Sequence, residues 1–335
     1  MDYSKYCIGQ KQAFQEALDE MVGRKNGTIT SFRTPWPKVD DAGTDGFEWN
    51  SLTVIGGRPG TGKTLIKDQL IREREKNNPG QTMRIYEFNF EMLGKVQKQR
   101  EFSAHIKQPY KYVKSSSGMK ITEEDLAKCF LYAKDVLANE GYPIDSCNIP
   151  VDIDTFQKII EWYMEKHSVR VEGGKKIYTK TVITIDHANL FKLSAGHNSK
   201  TDMLYELGEI LTDLKRRFPI AFIVLSQLGR NVETPERNQD GKYGNYILPT
   251  DLFGGDALFQ HADLVIGINR PSLKYIQFYG PDRYIIDDEN ILVFHFLKCR
   301  NGDTRMSFFK SHYDKMCIEE MTVPPARQEK RISTQ

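Results

Sequence analysis

Leu52-Thr-Val-Ile-Gly-Gly-Arg-Pro-Gly-Thr-Gly-Lys-Thr64 joins a short apolar run, Leu52 to Ile55, to the pattern G-x-x-x-x-G-K-[ST]. The pattern covers Gly57, Arg58, Pro59, Gly60, Thr61, Gly62, Lys63 and Thr64, and Leu65-Ile-Lys-Asp-Gln-Leu70 after it reads as a helix. Strand, glycine loop and helix therefore stand in the order a P-loop needs. The glycines let backbone N–H groups turn inward around phosphate oxygens, and the helix N-terminus adds partial positive charge. Lys63 is placed to reach the β- and γ-phosphates, and the Thr64 hydroxyl to ligate Mg²⁺. With every fixed position and both flanks present, a chance glycine-rich turn is the poorer reading. The stretch predicts a nucleoside triphosphate site.

The 335 residues can bury a sizeable core, as one large domain or two modest ones. A content of 39% hydrophobic and 27% charged residues is that of a globular chain, not a disordered one. The net charge of +2 is too small to signal a nucleic-acid partner. It does not exclude one, because a ring can confine its basic groups to a central channel. Cys7, Cys129, Cys147, Cys299 and Cys317 form no C-x-x-C and no zinc spacing, and read as reduced thiols of a cytosolic protein. No apolar run approaches the roughly 18 residues of a membrane span, and the N-terminus lacks a signal-peptide pattern. The expectation is a cytoplasmic protein with no membrane partner.

Along the chain, Phe14, Ala17, Leu18, Met21 and Val22 mark one apolar face of a helix over 9–23. That face either packs on the chain's own core or docks on a neighbouring subunit. Residues 30–50 read as an irregular lead-in. Strands are expected at 83–90, 180–186, 220–225, 263–268 and 291–296, with helices near 123–138, 154–167 and 203–214. A polar loop covers 231–250, and 323–335 reads as a disordered tail. Apolar strands alternating with helices predict an α/β fold with a mostly parallel central sheet. In such sheets ligands gather at the carboxyl ends of strands. Gly57, Glu91, Asp186 and Gln227 all fall at such ends.

Phosphoryl transfer needs charge neutralisation, a metal, an oriented water and closure around the γ-phosphate. Asp186, ending an apolar strand, has the position of a Walker B aspartate holding Mg²⁺ through its water shell. Glu91 is placed to polarise the attacking water, although a simple loop carboxylate would occupy the same position. Gln227 can hydrogen-bond the γ-phosphate or the water, or simply cap its strand. Lys298 and Arg300, two apart on an extended segment, point the same way and so toward one phosphate, unless they form a solvated basic turn.

Taken together, these motifs resemble the ATPase domain of DnaB-type replicative helicases, hexameric ring motors with a RecA-like core. Gly57 to Thr64 looks like their Walker A, Phe88-Asn-Phe-Glu-Met92 their catalytic-glutamate motif, and Ile183-Thr-Ile-Asp-His187 their Walker B. Leu225-Ser-Gln-Leu-Gly-Arg230 resembles the sensor motif, and Lys298-Cys-Arg-Asn-Gly302 the arginine-finger element. The likeness covers about residues 10–320. It implies ATP and Mg²⁺ as cofactors, Glu91 as base, Gln227 as γ-phosphate sensor, and Arg300 with Lys298 as a finger acting on the neighbour's nucleotide. It further implies single-stranded DNA as partner, a hexameric homo-oligomer, 5′–3′ helicase activity, and a primase or helicase loader as associate. On this reading 1–29 is a linker helix docking on the adjacent subunit, 30–322 the ATPase domain, and 323–335 a tail.

Two departures stand out. Only about 50 residues precede the P-loop strand, an arrangement closer to compact phage-type or mobile-element members without collar or primase domains. The host would then be a bacterial cytoplasm or that of a phage-infected cell. Secondly, Phe253 stands where family members carry a DNA-facing arginine. DNA contacts are then expected from the loop Ser194 to Lys200, and from Arg230, Arg237, Lys242, Tyr243 and Tyr246, which mix cations with aromatics. The same loop holds Glu233, Glu236 and Asp240, so a plain solvated loop stays open. A RecA-fold ATPase without unwinding activity, such as a recombination mediator or a RadA/KaiC-like switch, shares the P-loop, Asp186 and the sheet. A ring-forming scaffold that uses ATP only to assemble is a third possibility.

Overall fold

A computed structural model describes residues 8–138, 143–194, 196–238, 246–252, 254 and 256–328. Its strands are β1 (Ser51–Gly57), β2 (Arg84–Asn89), β3 (Ile144–Cys147), β4 (Val169–Glu172), β5 (Lys175–Tyr178), β6 (Thr181–Asp186) and β7 (Ile220–Gln227). They continue with β8 (Leu264–Asn269), β9 (Phe278–Tyr279), β10 (Tyr284–Ile285), β11 (Ile291–Cys299), β12 (Arg305–His312) and β13 (Cys317–Glu320). One sheet of nine runs in the order β13-β12-β11-β8-β1-β7-β6-β2-β3. From β8 to β3 all neighbours are parallel. Across β11, β12 and β13 they are antiparallel. β4 with β5, and β9 with β10, form two small separate ribbons.

The parallel part follows from the apolar runs. Every residue of β1 is buried. Leu52 and Val54 pack with Phe88, Ile185, Leu207 and Leu211 in one cluster. Ile55 packs with Leu65, Ile66 and Leu70 of the P-loop helix (Lys63–Arg72) in another. Alternate side chains enter cores on opposite faces, which is why such strands read as continuous apolar runs instead of alternating ones.

Three expectations change. Residues 30–50 are not simply irregular: Phe32, Trp36, Val39 and Phe47 are buried, and Pro37–Ala42 is a short helix. Trp36 Nε1 donates to the Ile318 carbonyl at 2.9 Å, tying this lead-in to β13. The stretch 92–179 adds a helix at Gly94–Ile106 and the edge strand β3. Finally, part of the expected tail is paired: Ile285 N donates to Ala326 O at 2.8 Å, and Gln328 N to Arg283 O at 3.0 Å. Residues 329–335 lie outside the described residues.

β11 carries Lys298, leads directly into Arg300 and is anchored by a buried histidine. His295 Nε2 lies 2.7 Å from Tyr279 Oη, and burial pushes the imidazole down to about 3. The folded chain thus keeps His295 neutral where an unfolded histidine takes up a proton, below about pH 6.5. Stability is therefore untouched by this group above that pH and falls as pH drops from about 6.5 toward about 3, with a slope approaching about 1.4 kcal/mol per pH unit. His295→Gln is expected to flatten this part of the profile of Tm against pH.

Candidate active site

β1 delivers Gly57 to the carboxyl edge of the sheet, and the chain then turns through Gly60 (φ 80°) and Gly62 (φ 93°) into the P-loop helix. Gly57 is required by close approach, since a Cβ there would lie 2.5 Å from Thr61 Oγ1. Gly62 is required by its backbone angle. Lys63 Nζ reaches back to the carbonyls of Gly57 at 2.6 Å and Arg58 at 3.1 Å. Burial pulls its ammonium down to about 8, against the opposing charges of Asp186 and Glu91.

Register brings the other strand-end residues to the same edge. Gly57 pairs with Gln227 across β1 and β7. Asn89 pairs with Asp186 across β2 and β6, and Phe90 N donates to Asp186 O at 2.9 Å. A cavity of about 520 Å³ opens here, lined by the P-loop together with Lys63, Thr64, Glu91 and Gln227. That volume suits a nucleotide-sized ligand. Asp186 is nearly buried and does not line the cavity, but its charge acts on both Lys63 and His187.

The side chain of Arg58 has a bracing task. It donates twice to Glu233, at 2.8 and 2.9 Å, and to the Leu228 carbonyl at 2.9 Å. Lys274 meets the same Glu233 at 3.1 Å. Arg58 foremost, with Lys274, holds the Glu233 carboxyl below its ordinary range. The P-loop is thereby tied to the segments that follow β7 and β8.

Lys298 and Arg300 lie at the opposite edge. β11 runs antiparallel to β8, so Cys299 faces Leu264 at the start of that strand. Arg300 Nη1 is 3.0 Å from Asp263, whose carboxylate also accepts from Leu52 N at 2.8 Å. Leu52 and Gly57 stand five residues apart on β1, about 17 Å at strand rise. That exceeds what an arginine side chain spans, so Arg300 does not serve its own P-loop. In the single chain each of the two cations has partners of its own. Lys298 Nζ donates to the carbonyls of Phe259 (2.7 Å) and Gln260 (3.0 Å), while Arg300 follows the end of β11 at Cys299.

The expected DNA contacts fare unevenly. Lys200 begins the helix Lys200–Arg217 and donates to the Phe191 carbonyl of its own chain. Arg237 is engaged with nearly buried Asp251, one bond being 2.9 Å, and with the Tyr246 carbonyl. Each thus satisfies a carbonyl or carboxylate of its own fold, and both are partly exposed. Arg230 is exposed. Lys242, Tyr243 and Phe253 lie outside the described residues.

Sequence patterns did not indicate Tyr313 and Met316, which line the cavity from the turn between β12 and β13. Arg270 lies over the Tyr313 ring, 4.5 Å from its centroid. Nothing in local spacing announces them, since only sheet pairing carries that turn to the P-loop.

Residues 32–316 match the family model of the DnaB-like helicase C terminal domain. The chain belongs to this family. It is 25% identical over 316 residues to the replicative DNA helicase DnaB of Geobacillus stearothermophilus, covering 91% of this chain and 62% of that protein. Identity to the replicative DNA helicase DnaC of Bacillus subtilis (strain 168) is also 25% over 316 residues, with the same coverage. This DnaB-like chain thus spans about six-tenths of the length of these curated relatives. Two solved structures share the fold at 17% identity. One, an isolated ATPase domain, gives a TM-score of 0.74, covering 94% of this chain and 100% of that one. The other, a DnaB-like replicative helicase described with its interactions with primase, gives 0.72 and covers 94% and 67%. The RecA-like architecture expected from the motifs is the one these structures have. Among the described residues, no helix is long and apolar enough to cross a membrane.

Proposed function

We propose that this chain is the motor of a replicative DNA helicase that hydrolyses ATP at subunit interfaces to move along single-stranded DNA and unwind duplex. The observation that carries the proposal is the division of the site between two sheet edges. Lys63, Thr64, Glu91 and Gln227 gather at one, while Arg300 sits at the other, beyond reach of its own P-loop. A cation so placed can act on a nucleotide only in a second copy. Closed rings present one subunit's far edge to the next subunit's site, and a hexamer is the ring this family likeness favours.

ATP would lie on the P-loop with Lys63 on its phosphates. Tyr313 and Met316 offer an apolar, aromatic edge suited to a planar base. Thr64 and Asp186 fit a Mg²⁺ ion that keeps its phosphate and water ligands. Among the described residues no cluster of three or more acidic, histidine or cysteine side chains forms a protein-only cage, and Mg²⁺ bound through substrate phosphates needs none. When bound, the ion would neutralise charge developing between the β- and γ-phosphates. Glu91 would orient the attacking water and Gln227 report on the γ-phosphate.

The helix Gln10–Lys25 supports assembly. Phe14, Leu18, Met21 and Val22 are all more than half exposed, so this face does not pack on its own core. Arg24 ties the helix end to Glu48 at 2.7 Å. We assign residues 1–29 to an arm that docks on the neighbouring subunit and 30–322 to the ATPase domain; a primase or helicase loader would be a further partner. The engagement of Lys200 and Arg237 within the fold favours, as a second reading, a RecA-fold ATPase that does not unwind DNA. The deciding experiment measures ATP turnover with and without single-stranded DNA, beside displacement of an annealed strand. Stimulated turnover with displacement is expected; stimulation without displacement would favour the second reading.

A further inference from the structure

Lys67 lies one turn beyond Thr64 on the same face of the P-loop helix, yet none of its surface is exposed. Its ammonium donates to Glu87 Oε1 at 3.0 Å and Asn89 Oδ1 at 2.8 Å, and pairs with Asp68 Oδ1 at 3.0 Å. Two N–H bonds thus meet acceptors, and the Asp68 carboxylate adds an opposite charge beside the ammonium. The network continues: Asn89 Nδ2 donates to Gln97 Oε1 at 2.8 Å, and Gln97 Nε2 donates to both Glu87 oxygens at 3.0 Å. Glu87, Asn89 and Gln97 are all buried. A buried ammonium is costly unless fully partnered, so the position is held for more than filling space.

The placement of the partners matters. Asn89 ends β2, and Gln97 lies in the first turn of the helix Gly94–Ile106. Glu91 sits in the connection between them. Among the described residues no hydrogen bond or ion pair holds Glu91 itself. Its setting relative to Lys63 and Thr64 is therefore inherited from both ends of its connection, and both ends are tied to the P-loop helix through this one cluster.

We propose that Lys67 is a positioning residue for hydrolysis, clamping the strand and the helix that flank Glu91 against the P-loop helix. The inference rests on the reading of Glu91 as the residue that orients the attacking water. A displacement of about 1 Å at such a group costs about 100-fold in rate. Substrate binding does not pass through Glu91, so affinity is untouched.

The test uses the full chain in its assembled state. Gln97→Met removes the tie to the helix and leaves the Lys67–Glu87 pair intact. Lys67→Met combined with Glu87→Met removes that pair of charges together and leaves Asp68, 14% exposed, without its cation. Each is expected to lower kcat by about 10- to 100-fold while Kd for ATP stays within about threefold. In a Glu91→Gln background neither should lower the residual rate further, because residues acting as a unit are not additive. If the double variant does not fold, Gln97→Met decides alone. A parent kcat in Gln97→Met beside an inactive Glu91→Gln sinks the positioning role. So does an equal loss in both backgrounds, which marks a merely structural cluster. Parent turnover by Glu91→Gln itself removes instead the reading on which the inference rests.

Discussion

Assembled Arg300→Ala protein is expected to lose about 10³–10⁵ in kcat for ATP hydrolysis, the worth of an arginine finger supplied in trans. Nucleotide binding by the individual subunit should be unchanged, because Arg300 is remote from its own P-loop. Stability should change little. The Arg300 side chain is 57% exposed, and an ion pair of that kind contributes at most about 1 kcal/mol. Asp263 keeps Lys215 and the Leu52 N–H as partners when the arginine leaves. Mixing supplies the decisive control. Arg300→Ala and Glu91→Gln subunits each keep only a residual rate alone, but a mixed ring contains interfaces where an intact Glu91 faces an intact Arg300. Recovered turnover on mixing is the expected result. Monomeric parent protein that hydrolyses ATP as fast as the assembly would refute the trans role.

Glu91→Gln should cost about 10²–10⁴ in kcat, the usual worth of a positioned general base, while ATP binds as before. Glu91 is exposed and lines the cavity, and among the described residues no hydrogen bond or ion pair depends on it. The substitution should therefore leave Tm unchanged, separating chemistry from folding. The variant also tests the scaffold alternative: a protein using ATP only to assemble would keep its function with hydrolysis blocked, whereas a motor stalls. Measuring nucleotide Kd, single-turnover hydrolysis and strand displacement on one preparation distinguishes these outcomes.

How much of this was legible in the chain varies by element. The strand β1 and the loop after it were fully readable, because glycine placement, the Lys63-Thr64 pair and the apolar run are local. The ends of β2, β6 and β7 were readable for a related reason. In a parallel sheet every strand finishes at the same edge, so an apolar run ending in Glu91, Asp186 or Gln227 already states where that residue lies. The strands β12 and β13 gave no such signal, and the lead-in at Phe32 to Phe47 gave too little. Their side chains pack against distant segments, as Trp36 does against β13, and such packing leaves no period in a short window.

The sequence by itself determined the glycine loop between β1 and the helix after it, the mostly parallel sheet and the set of residues gathered at its carboxyl edge. Those features are written in local patterns whose geometric meaning does not depend on the rest of the chain. Only the tertiary structure decided the direction of β11, which places Arg300 at the far edge. A strand buried on both faces shows the same apolar run whichever way it points. Long-range contacts likewise decided which polar groups are enclosed. Lys67 looks like an ordinary exposed helix residue until β2 is laid against it, and Arg237 like a free cation until Asp251 is folded beneath it. A charged side chain's fate is set by what closes over it, and that is a property of the fold.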